Sequence, residues 1–170
     1  MGYYTSFYGE FTITPKLAPE HERYLRAFTS SRRMKRHSDL AAALGDEIRQ
    51  AVGLPAGIEG EYHVAGNDDA DESVVDLNNP PRTQPSLYCS WEIGEDGTSL
   101  LIPEQGKHYY YEEWLNYLVD NFFKLWGYEL GGEVTWSGEE DDDKGTIYAK
   151  ENMIEVWPVE INYPRPSWEK

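Results

Sequence analysis

The segment from Lys107 to Trp157 constrains the fold more than any other part of the chain, because a helical pattern runs directly into strand patterns. Between residues 109 and 126, apolar side chains recur at spacings of three and four, the period of one face of an α-helix. A face this wide predicts a helix that lies deep in a core or carries a second contact surface. Its residues are Tyr111, Leu115, Leu118, Phe122, Leu125 and Trp126, widened by Tyr110, Trp114, Tyr117, Val119 and Phe123.

Strand patterns come directly after this helix. Gly131-Gly132 separates two short alternating runs, which predicts a two-residue hairpin or, alternatively, one strand with a bulge at the glycines. Residues 146–149 and 153–157 flank a short polar turn and predict a second hairpin. A helix packed on an antiparallel meander would bury the apolar face of each.

The rest of the chain adds further elements to this centre. Residues 3–14 and the alternating run 87–93 are typical of strands, and 99–102 completes a hairpin. The sequence thus predicts one α+β domain over residues 1–170, with an antiparallel sheet, the helix of about 109–126 on one face, and helices of about 19–52 beside it. Residues 66–85 form a predicted long loop, ordered from about Val74, and residues 158–170 a predicted surface tail.

Charge is the strongest global feature. The net charge is −16, and residues 1–50 carry 8 basic and 6 acidic side chains whereas residues 51–170 carry 7 and 25. Such a balance argues against direct binding of nucleic acid through a broad basic surface. It indicates either solubility through net charge or an acidic face for a basic partner.

Two charged segments are candidate binding sites. The basic segment consists of Arg32, Arg33, Lys35 and Arg36, which we expect at the carboxyl end of a first helix, complementing its dipole or holding a phosphate or ligand. The main acidic run is Glu139, Glu140, Asp141, Asp142 and Asp143, a solvated connection between strands or a surface for a partner. The acidic run does not fit a calcium loop, because Asn152 stands where a bidentate glutamate would close it.

Catalytic chemistry finds little support in the sequence. Cys89 lies on the apolar side of a predicted strand, which is typical of a buried structural thiol. The four histidines have no metal-binding spacing, and no phosphate loop or nucleophile elbow is present. No catalytic residue, metal or cofactor is therefore predicted, and an enzyme is the less favoured class.

Three stretches carry a resemblance: residues 74–91, the aromatic segment 110–123, and residues 127–156, with the amino-terminal strand and segment 31–36 in addition. Together they resemble a family of small uncharacterised bacterial and phage-borne proteins. The resemblance implies a bacterial or viral intracellular setting and no particular activity.

The sequence leads to three hypotheses about function. The first is an acidic inhibitor, immunity-type or counter-defence protein that masks a basic partner, such as a nucleic-acid-handling enzyme. The second is a small-molecule or nucleotide binder that uses the Arg32–Arg36 segment. The third is an enzyme of unrecognised class. We expect a cytoplasmic location, because the sequence contains no signal-peptide pattern and no run of about 18 apolar residues.

Overall fold

The computed structural model describes residues 2–66, 69–103, 108–159 and 168. Its elements, in chain order, are β1 (Thr5–Thr14), α1 (Pro19–Ser30), β2 (Lys35–Arg36), α2 (Ser38–Leu44), α3 (Glu47–Ala51), a 3₁₀ turn (Ile58–Gly60), β3 (Val74–Asp76), β4 (Glu92–Ile93), β5 (Ser99–Leu101), α4 (Tyr111–Leu118), a π-helical segment (Val119–Phe123), α5 (Lys124–Trp126), β6 (Glu129–Gly138), β7 (Lys144–Lys150) and β8 (Met153–Pro158).

Six strands form one sheet in the order β4-β5-β1-β6-β7-β8, with every neighbouring pair antiparallel. β2 and β3 form a separate two-stranded ladder. One face of the large sheet contributes buried side chains to a core shared with α1 and the α4–α5 helix. The predicted α+β fold is confirmed. No helix in the described ranges is long and apolar enough to cross a membrane.

The Gly131-Gly132 hairpin prediction was wrong. β6 runs through both glycines and pairs with β1 without interruption, from Thr5 opposite Gly138 to Thr14 opposite Glu129. Gly132 has a φ of +113°, and a Cβ atom there would lie 3.3 Å from the Glu10 carbonyl oxygen. The glycine therefore allows close approach of two strands rather than a turn.

The second predicted hairpin is confirmed. β7 and β8 pair from Gly145 opposite Pro158 to Lys150 opposite Met153. Glu151 and Asn152 make the turn with φ of 50° and 68°, the left-handed conformation of a type I′ turn.

The predicted long helix is present, but it begins two residues later than predicted and contains a π-helical turn. Tyr110 is left-handed, so the helix begins at Tyr111. Lys124 N–H donates to the Val119 carbonyl, a π-type bond that widens one turn and shifts the helical phase of the residues after it. Leu125, predicted on the buried face, is 63% exposed for this reason. Gly127 ends the helix in the predicted left-handed cap, with a φ of 81°.

The segments between the main elements agree only partly with the strands and loops predicted from the sequence. Residues 87–93 alternate between the interior and solvent as predicted, but only Glu92–Ile93 is a strand. The Leu87 carbonyl accepts from Arg33 N–H at 2.7 Å, which ties this end of the segment to a loop. β3 lies within the predicted long loop, where Val75 and Leu77 are 63% and 47% exposed. Most of the predicted tail lies outside the described residues.

Candidate functional site

The basic segment is not helical. α1 ends at Ser30, and Ser31 is extended with φ −99° and ψ 150°. Lys35 and Arg36 form strand β2. The prediction that the four residues of the basic segment form the carboxyl end of the first helix was therefore wrong, because the helix ends before them and Lys35–Arg36 pairs with β3.

Arg33 lies inside the protein, with 3% of its surface exposed. Its guanidinium donates to the carbonyls of Glu61 and His63 at 2.8 and 2.7 Å, and to the Ser31 hydroxyl at 2.7 Å. It also stacks 4.3 Å above the Phe28 ring. Burial lowers the pKa of Arg33. This arginine holds an irregular segment against the core.

Arg36 and Arg32 also bind parts of the long loop. Arg36 pairs with the Asp71 carboxylate and the Ser73 hydroxyl, each at 2.8 Å. Burial raises the pKa of the Asp71 carboxyl group, but the hydrogen bonds from Ser73 and Arg36 outweigh burial and lower this pKa overall. Arg32 donates to the Leu77 carbonyl at 2.8 Å and to Asn78. The three guanidiniums bind different partners and do not converge on one open pocket. A phosphate or ligand site formed by Arg32, Arg33, Lys35 and Arg36 stays a prediction.

Sequence reasoning missed a buried polar network beside these arginines. The Glu61 carboxylate accepts from the Tyr117 hydroxyl at 2.8 Å, and Gln84 donates to the same hydroxyl at 2.9 Å. The Asp46 carboxylate accepts the backbone N–H groups of residues 49, 64 and 65. The bond from Arg49 N–H to Asp46 is a local helix N-cap, but the other bonds join residues that are far apart in the chain, so no local pattern could have indicated them.

The acidic run 139–143 forms the turn between β6 and β7. Asp143 is held in place, because it accepts from the Tyr3 hydroxyl at 2.6 Å and from Trp136 Nε1 at 2.9 Å. The Glu139 carboxylate accepts the backbone N–H of Tyr4. The exposed remainder of the run is Glu140, Asp141 and Asp142. Among the residues that the structure covers, no group of three potential metal ligands is arranged around a common point.

Register brings a second acidic feature together on the sheet face that the helices leave uncovered. Here Glu10 of β1 lies directly opposite Glu133 of β6, and Tyr8 lies opposite Thr135. All four are exposed, and Tyr8 exposes 62% of its surface. These four residues are called the acidic sheet face below. The ladders continue both rows into β7 and β8, with Tyr148 and Glu155 in one row and Thr146 and Trp157 in the other.

The pairing of Glu10 with Glu133 has an energetic cost. Directly opposed residues place their Cβ atoms about 4.5–5.5 Å apart, and like charges at this separation destabilise a sheet. A positive-φ glycine precedes each glutamate, Gly9 at +93° and Gly132 at +113°. The sequence contains five Gly-Glu dipeptides, and only the strand register shows that the copies at 9–10 and 132–133 face each other.

We expect Glu10→Gln to stabilise the fold, because it removes one of two opposed charges while keeping the side-chain shape. The free energy of unfolding should rise by about 0.2–1 kcal/mol at low salt. The measurement is urea denaturation at low and high ionic strength. Glu129→Gln is the matched control, since Glu129 lies on β6, the strand of Glu133, opposite the neutral Thr14 of β1. An equal effect in both variants would show that the opposed pair carries no repulsion.

Cys89 is a buried thiol, as predicted, and burial raises its pKa to about 12. The native protein should therefore react with a thiol reagent such as dithionitrobenzoate at least tenfold more slowly than the chain unfolded in guanidinium, because a thiolate is the reacting species. Absorbance at pH 8 measures both rates. Fast native labelling would contradict a structural role for this side chain.

Comparisons with protein-family models, curated proteins and solved structures find no match for this chain. The resemblance to bacterial and phage-borne proteins stays a prediction. Function therefore has to be argued from the geometry of the protein's own surfaces.

Proposed function

We propose that this protein is an acidic protein-binding module that masks the basic surface of a partner, as an inhibitor, immunity-type or counter-defence protein would. A partner that handles nucleic acid has such a surface, because it must neutralise phosphates. The proposal includes a cytoplasmic location. The observation that carries it is the acidic sheet face, where two carboxylates oppose each other beside an exposed tyrosine.

A cationic side chain from a partner would relieve the repulsion between these carboxylates. An arginine has a planar fork of donors that can bind two carboxylate oxygens at once, and its guanidinium also stacks on aromatic rings. Tyr8 and Glu10 lie two residues apart on β1, and Glu133 lies opposite Glu10 on β6, so both kinds of contact are close together. Removal of this cost on binding would add to the affinity for a cationic partner.

The net charge of −16 supports the same proposal from the kinetics of association. A field of one sign speeds encounter with an oppositely charged protein and weakens as salt screens it. The exposed acids of the β6–β7 turn lie at one end of the strands that carry Glu10 and Glu133. They extend the field beyond the contact itself.

The test is capture from bacterial lysate with the tagged protein at low and high salt, followed by mass spectrometry. The wild type should retain one basic protein at low salt and release it at high salt. The double variant Glu10→Lys/Glu133→Lys should lose it, whereas Glu20→Lys/Glu47→Lys, with the same change in net charge at exposed helix positions, should keep it. Retention by the first variant at the wild-type level would contradict the proposed surface.

A further inference from the structure

A groove runs along the side of the α4–α5 helix that faces away from the sheet. Two cavities of about 410 and 480 Å³ are both lined by Tyr110, which stands between them. One wall is the irregular segment 82–92, and the other is the start of the helix together with its exposed stripe. The groove is therefore on the opposite side of the sheet from the acidic sheet face.

Tyr110 has an unusual conformation for its residue type. Its φ is 60° and its ψ 28°, in the left-handed region that bulky side chains rarely adopt. Its carbonyl accepts the Trp114 N–H at 2.8 Å and so opens the helix. Its ring nevertheless stays 52% exposed between the cavities. Left-handed non-glycine residues cluster at binding sites, where the surrounding structure maintains the strain.

The groove combines aromatic rings with carboxylates. Tyr88 and Tyr109 line the first cavity and are 44% and 49% exposed, and the Arg32 guanidinium lies 5.7 Å from the centroid of the Tyr88 ring. Glu92 lines the same cavity, and Glu113 and Asp120 line the second. Among the described residues of these linings, the guanidinium is Arg82, which pairs with Glu59 at 3.5 Å, and the carboxylate of Asp120 pairs with Lys124 at 3.1 Å. Tyrosine faces and carboxylates attract the same kind of group, a guanidinium or an ammonium.

We infer that this groove is a second docking surface and binds an extended, arginine- or lysine-bearing peptide segment of a protein. The carboxylates that line the groove favour a cationic occupant, and the length of the groove favours an extended one. The helix between Tyr110 and Asn121 spans about 16 Å at 1.5 Å per residue, which matches about five residues of extended chain. This inference does not depend on the acidic sheet face.

The experiment uses three fluorescein-labelled octapeptides, in which serine alternates with arginine, lysine or glutamate. Fluorescence anisotropy at low salt measures their affinity for the full chain. We expect the arginine peptide to bind and the glutamate peptide not to bind. Tyr110→Ala and the exposed Glu113→Lys should each weaken arginine-peptide binding by about two- to fivefold or more. Leu125→Ala, an exposed change on the same helix, should leave it unchanged.

Three results would overturn the inference. The first is absence of arginine-peptide binding to a wild type that is folded by circular dichroism. The second is equal affinity of the wild type, Tyr110→Ala and Glu113→Lys. The third is loss of binding in Glu10→Lys/Glu133→Lys with full binding in the groove variants, which would place the peptide on the acidic sheet face. Failure of the groove would thus be distinguishable from failure of the proposed function.

Discussion

Phe122→Ala is expected to lower the free energy of unfolding by about 3–5 kcal/mol, a large share of the stability of a single domain. Phe122 is fully buried, and its ring lies 5.0 Å from Phe28, 5.5 Å from Tyr24 and 5.4 Å from Trp126 between centroids. Truncation would leave a cavity that rigid aromatic neighbours cannot fill. Urea denaturation followed by tryptophan fluorescence gives the change.

Leu125→Ala is the control on the same helix. Leu125 would belong to the buried face of a regular α-helix, but the π-helical segment turns it toward solvent. Its replacement should change the free energy of unfolding by less than about 0.5 kcal/mol. A loss comparable to that of Phe122→Ala would mean that the helix is regular and that the π-type turn is absent in solution.

Arg33→Lys is expected to lower the free energy of unfolding by about 2–4 kcal/mol, although it keeps the positive charge. An ammonium cannot reach the two carbonyls and the Ser31 hydroxyl that the guanidinium fork bonds at once, so buried acceptors would lose their donors. Urea denaturation measures the effect. Limited proteolysis should also show faster cleavage near residues 61–63, whose carbonyl groups accept hydrogen bonds from Arg33.

Arg23→Lys supplies the comparison, because Arg23 is exposed on α1. Its effect should be less than about 0.5 kcal/mol. If Arg33→Lys is equally mild, the guanidinium is not a structural anchor.

Local patterns predicted the elements that depend on local forces. The helical period around Tyr111–Leu118, the Gly127 cap and the β7–β8 hairpin each result from side-chain spacing or from one turn residue. Gly131-Gly132 misled the prediction because a close strand neighbour and a turn both favour glycine. Only the ten-residue ladder with β1 decides between them.

The candidate site was less predictable for a related reason. The acidic sheet face depends on register, since Glu10 and Glu133 are more than a hundred residues apart and meet only when β1 and β6 pair. Arg33 was predicted as part of a basic segment that complements a helix dipole or holds a ligand, but carbonyl groups from distant segments accept its hydrogen bonds inside the protein. Long-range pairing of this kind leaves no periodic trace in the sequence.

The most direct test of the acidic sheet face is the association rate of the captured partner as a function of ionic strength. The wild type is compared with Glu10→Lys/Glu133→Lys and with Glu139→Lys/Asp142→Lys in the β6–β7 turn. We expect the sheet-face variant to associate more slowly, to dissociate faster and to show a flatter salt dependence, and the turn variant to change mainly the association rate. Wild-type rates and salt dependence in the sheet-face variant would contradict the account.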